Sequence, residues 1–141
     1  MRTGRIAIAV SAVLTIAMTS RVVAEEYYLK PMATDFSVPS NFTVGSEGGS
    51  DSSAIPGPDD VVFLPRESVV YPLIAGTENF RAFAQIGEFR IEDSACATFR
   101  VNVPSGTAVI DTKFNSWEGT RTRETSRWFA IEKTGIGELT L

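Results

Sequence analysis

The chain has 141 residues, with 13 basic and 17 acidic side chains, no histidine, one cysteine and a net charge of −4. That sign argues against nucleic acid and anionic membrane surfaces, which need a basic stripe. The lack of histidine removes Ser-His-Asp and Cys-His nucleophile systems and His-ligated zinc, and a single cysteine excludes a small domain held by internal disulfides.

The amino terminus carries Arg2 and Arg5, then an apolar run over 6–18 broken by Ser11 and Thr15, then Arg21-Val22-Val23-Ala24. A charged start, a short apolar middle and a Val-x-Ala end are the parts of a secretory signal peptide, with cleavage expected after Ala24. The run is shorter than the roughly 20 residues that span a bilayer as a helix, so no membrane span is expected in the mature chain. Removal of 1–24 takes away Arg2, Arg5 and Arg21 and no acid, leaving a more acidic chain suited to an extracellular surface.

Residues 25–58 are expected to form a flexible polar segment. Gly45 to Ser53 has almost nothing to bury and cannot offset the entropy of ordering its backbone. The character changes at the turn cluster Pro56-Gly57-Pro58-Asp59-Asp60, which is followed at once by Val61-Val62-Phe63-Leu64.

From there, strands are predicted over 61–64, 68–73, 80–86, 88–92, 98–103, 108–111, 128–132 and 139–141. Phe89-Arg90-Ile91 and Phe99-Arg100-Val101-Asn102-Val103 alternate at period two. No later stretch shows a sustained helical period with caps, so the mature chain reads all-β. Two architectures compete. A β-sandwich would use Asn-Gly or Asp-Gly hairpins, which are missing, whereas a parallel β-helix stacks short strands joined by single-glycine turns. The expected interior comprises Val61, Phe63, Val70, Leu73, Phe83, Ile86, Phe89, Ile91, Phe99, Val101, Val103, Val109, Ile131, Leu139 and Leu141.

Several segments carry a family resemblance. Asn41-Phe42 resembles an early Asn-Trp, with Phe in place of Trp. Ile55-Pro56-Gly57-Pro58-Asp59-Asp60-Val61-Val62-Phe63 is similar to a Pro-Gly-x-x-Asp-x-Val-x-Phe first rung. Val103 to Asp111 looks like a strand, Ser-Gly turn, strand unit, and Lys133-Thr134-Gly135-Ile136-Gly137-Glu138-Leu139-Thr140-Leu141 resembles a Lys-x-Gly-x-Gly-x-Leu-x-Leu repeat. In this order they resemble the autotransporter-associated repeat of secreted bacterial, passenger-like β-helix proteins. The resemblance implies a partial right-handed parallel β-helix over 59–141, incomplete and belonging to a longer passenger. It also implies a secreted or cell-surface structural or adhesion role without catalytic activity, with surface glycans or extracellular matrix as partners.

Chemistry-bearing residues are few. Asp59-Asp60, with Asp51 or Glu67, offers oxygen ligands for Ca²⁺, but such a pair more often caps a turn, and no metal or other cofactor is expected. Arg90 and Arg100 with Glu88, Glu92 and Asp111 are the only candidates for lyase or glycosidase chemistry, and both arginines fall at outward positions where solvated charge is the default. Cys96 lies among small residues as an apolar filler. Trp117, Arg121, Arg123 and Trp128 are the candidate glycan contacts, with a Trp stacking on a sugar face. They carry the alternative function, a secreted carbohydrate-binding or carbohydrate-active β-domain.

Overall fold

The computed structural model describes residues 23–91, 96–116 and 128–141. The proposed signal peptide, apart from Val23 and Ala24, lies outside them. The chain is sheet-rich. In order it forms β1 (Glu26–Leu29), a 3-10 turn (Pro39–Asn41), β2 (Phe42–Val44), β3 (Val61–Leu64), β4 (Val69–Ile74) and α1 (Glu78–Ala84). There follow β5 (Glu88–Ile91), β6 (Cys96–Asn102), β7 (Thr107–Val109), β8 (Lys113–Ser116), β9 (Trp128–Thr134) and β10 (Glu138–Thr140).

The strands make three sheets, ordered β2-β1-β3-β5-β8, β4-β6-β9 and β7-β10. The first is mixed, because β2 runs antiparallel to β1 while β1, β3, β5 and β8 run parallel. The other two are parallel. A β-sandwich is built from antiparallel sheets, a pairing seen between named strands only at β1–β2 among the described residues.

Register aligns like side chains from strand to strand. Val62, Phe89 and Phe114 stand side by side across the first sheet. Tyr71, Phe99 and Ile131 do so across the second, flanked by Leu73, Val101 and Lys133. Between the sheets runs a column of phenylalanines. Phe83 and Phe99 have ring centroids 4.8 Å apart, Phe89 and Phe114 lie 5.9 Å apart and nearly parallel, and Tyr71 stacks on Phe99 at 5.3 Å. Each such pair adds about 0.5–1.5 kcal/mol beyond its area burial.

Three expectations are corrected. The stretch 80–86 is not a strand, since Glu78–Ala84 is helical. Thr77 caps it, its Oγ1 accepting the Phe80 N–H at 3.2 Å, and Phe80 and Phe83, three apart, share the buried face with Ala82. A strand would have sent Phe80 and Phe83 to opposite sides. The segment 25–58 is not a featureless linker. It carries β1 and β2, and Tyr27, Leu29, Phe36, Phe42, Thr43 and Ser52 are buried. Phe36 is held from the helix, where Asn79 Oδ1 accepts its N–H at 2.7 Å and Asn79 Nδ2 donates to Thr34 O at 3.3 Å. Strand β8 was not anticipated.

The third correction concerns the interior. Val61, Leu73, Phe83, Ile86, Phe89, Ile91, Phe99, Val101 and Val103 are buried, and Ile131 and Leu139 are half-buried. Val70 is 45% exposed because Tyr71 and Leu73, on the opposite parity of β4, take the inner face. Val109 is displaced in the same way by Ala108, Phe63 is half-buried beside the inward Val62 and Leu64, and Leu141 lies exposed beyond β10.

The turn before β10 divides its work between two glycines. Gly135 takes φ 83°. Gly137 has no positive φ and is needed for space, since a Cβ there would sit 2.5 Å from Val103 Cγ1 and 2.8 Å from Gly106 O.

Candidate functional site

The outer face of the first sheet carries a connected set of polar contacts around Glu88. Register lines up Tyr28, Phe63, Arg90 and Asn115 as one outward row, and Glu26, Val61, Glu88 and Lys113 as the next. Tyr28 and Phe63 stack at 4.8 Å and 10°, and the Arg90 guanidinium lies 5.7 Å over the Phe63 ring. Alternation along β1, β3, β5 and β8 fixes this row, because Tyr27, Val62, Phe89 and Phe114 turn to the other side.

Glu88 joins the rows. Its Oε2 accepts from Arg90 Nε at 2.9 Å and pairs with Nη2 at 2.8 Å, while its Oε1 accepts from Asn115 Nδ2 at 3.1 Å and lies 3.6 Å from Lys113 Nζ. Burial works to raise its pKa, but the hydrogen bonds from Asn115 and Arg90 and the charges of Arg90 and Lys113 outweigh it and hold the carboxyl below the usual carboxylate range. An ionised, fully engaged carboxylate makes a poor general acid, and an Arg90 committed to it makes a poor base.

Of the residues weighed for lyase or glycosidase chemistry, only Arg90 and Glu88 are brought together among the described residues. Arg100 lies on the second sheet, paired with Glu132 at 2.9 Å. Glu92 lies outside the described residues. Asp111 instead lines an open groove of about 580 Å³ between α1 and the loop before β8, together with Phe80, Arg81, Gln85, Val109 and Lys113. Arg81 reaches back along its helix, donating to Thr77 O at 3.4 Å and Gly76 O at 3.3 Å.

The acids weighed for calcium are also dispersed. Asp60 Oδ2 accepts the Gly57 N–H at 2.7 Å and Oδ1 that of Glu25 at 3.1 Å, while Asp51 pairs with Lys30 at 2.6 Å. Among the described residues no group of three or more metal-binding side chains converges. Cys96 is half-buried at the start of β6, level with Trp128.

Of the candidate glycan contacts, Trp117, Arg121 and Arg123 lie outside the described residues, and Trp128 opens β9. The outward Tyr28–Asn115 row was missed in the sequence. Its signal was the two adjacent tyrosines of Glu26–Leu29, one of which must face out on a strand. The chain matches no protein-family model, no curated protein and no solved structure. Among the described residues no helix is long and apolar enough to cross a membrane.

Proposed function

We propose that the chain is a secreted or cell-surface bacterial protein of structural, adhesion type, without catalytic activity, whose strands from Val61 onward wind as rungs of a right-handed parallel β-helix akin to autotransporter-associated repeats. The observation that carries the reading is the recurrence of register. Val62–Phe89–Phe114 and Tyr71–Phe99–Ile131 repeat the same interior position on strands one circuit apart, as stacked repeats do. In chain order α1 falls between β4 and β5, as β7 falls between β6 and β8 and β10 follows β9, which is the spacing that rungs of three sides would have. The charged groups of the outer face are engaged with one another, which suits a contact surface better than a reaction centre.

Expression of the full chain in a bacterium, followed by cell fractionation and a binding assay on glycan- and matrix-coated surfaces, tests the proposal. The expected result is a shortened form outside the cytoplasm that binds a coated surface and leaves polysaccharides intact. A cytoplasmic chain retaining Met1, or cleavage of a polysaccharide, would overturn it.

A second reading, a carbohydrate-binding domain, is favoured by the groove beside α1, where Arg81, Gln85 and Asp111 set planar polar groups next to Phe80 and Val109. Loss of glycan binding on Arg81→Ala with an unchanged melting temperature would single it out.

A further inference from the structure

The residue that follows the expected cleavage point is already tied into the first sheet. The Glu25 N–H donates to Asp60 Oδ1 at 3.1 Å, and Glu25 O accepts the Val61 N–H at 3.0 Å. The Glu25 side chain is occupied too, its Oε2 accepting the Tyr27 hydroxyl at 3.0 Å. Burial first, and that bond second, push the Tyr27 phenol up to about 12. Asp60 is fixed in turn. Its Oδ2 accepts from Gly57 N, its own N–H donates to Gly57 O at 3.1 Å, and its carbonyl accepts the Glu88 N–H at 3.1 Å. Val23 and Ala24, by contrast, are exposed, Val23 to 82%.

We propose that Asp60 is the receptor for the amino terminus created when the chain is cut between Ala24 and Glu25, so that processing replaces a neutral amide donor to the carboxylate with an ammonium and makes the contact an ion pair. The proposal rests on the secreted reading above. In the cut, a signal peptidase adds water across the Ala24–Glu25 peptide bond. The hydroxyl goes to the Ala24 carbonyl and a hydrogen to the Glu25 nitrogen, which takes up a further proton at neutral pH to become an ammonium. No rearrangement is needed, because the nitrogen already points at Oδ1. The bond is charge-assisted from the carboxylate side before the cut and from both sides after it, and exposure limits the gain. The processed protein is therefore better anchored at β1 than its precursor, and β1 is the strand through which β2 joins the sheet.

The test uses the exported protein. Its first residue is determined by mass spectrometry, and its melting temperature is compared before and after selective acetylation of the α-amine, in the parent and in Asp60→Asn. The expected result is a start at Glu25 and a melting temperature lower by roughly 2–5 °C on acetylation of the parent, with no shift in Asp60→Asn. Equal shifts in both proteins, or none in the parent, would overturn the ion pair. An exported chain beginning elsewhere would overturn the cut and the contact while leaving secretion standing, whereas a chain still carrying Met1 in the cytoplasm would overturn the secreted reading itself. Should Asp60→Asn fail to fold, the parent decides alone, since the acetylation shift must shrink in 1 M salt, and a shift that persists overturns the proposal.

Discussion

At the β1 end of the stack the interior column is closed by Phe36, fully buried, whose ring lies 5.4 Å from Phe83, 5.7 Å from Phe89 and 5.5 Å from Tyr71. At the opposite end the same columns finish in Phe114, Phe129 and Ile131, all half-buried, on strands that have a partner on one side only among the described residues. The position of Leu73 and Val101 is there taken by Lys133, exposed, whose Nζ donates to Gly135 O at 2.8 Å. One end of the core holds an aromatic plug, the other a charge standing at an inward register position. A charge so placed discourages a further strand from adding to an edge, which a plug alone does not do.

The comparison breaks most readily at the plug. Phe36→Ala is expected to cost about 3–5 kcal/mol in urea unfolding, the usual range for a buried phenylalanine, and a loss under ~1 kcal/mol would mean that the β1 end is not closed there. Asn79→Ala leaves the plug in place but unpairs the Phe36 N–H, so a smaller loss of about 1–3 kcal/mol is expected in the same assay. At the other end, Gly137→Val forces side-chain atoms against Val103 and Gly106. It should destabilise by about 1–3 kcal/mol, and hydrogen exchange should show the β7–β10 ladder opening first. Lys133→Val is expected to change stability by less than ~0.5 kcal/mol yet produce concentration-dependent dimers in sedimentation. A variant whose association state matches its parent's would show that the lysine does not guard the edge.

The smallest effect concerns acid. The folded-state pKa of Glu88 is depressed, so its contribution is present above the ordinary glutamate value of about 4.3 and is lost as pH falls through the folded value. Between pH 5 and 2 the parent should therefore lose stability more steeply than Glu88→Gln, and parallel profiles would show that the Arg90–Glu88–Asn115 row contributes nothing to linkage.

These ends were unequally legible in the sequence. Strands β3, β5 and β6 sit within two residues of their predicted places because apolar alternation and flanking turns mark both their faces and their limits. The β1 end was misread for a physical reason. Phe36 and Phe42 stand alone among Ser, Thr, Pro and Gly, and composition counts a segment's apolar residues without seeing that two of them fill a hole left by others. Helix α1 was missed because seven residues give too little periodicity to outweigh neighbouring strands, although Thr77 and the Phe80–Phe83 spacing were there to be read. Of the site candidates, the Glu88–Arg90 pair was legible as two alternate positions on one strand. Asn115, contributed by an unanticipated strand, was not.

The register of the ladders also bears on how the chain acquires its structure. Each parallel strand pairs with one that lies a similar distance further along the chain, so these pairings close loops of similar size and similar entropy. The costly step is the first closure, which brings the Phe36 ring against those of Tyr71 and Phe83. Later strands add to an edge already formed. A chain emerging amino end first would thus present its nucleus before the strands that add to it, and the order of synthesis would coincide with the order of assembly.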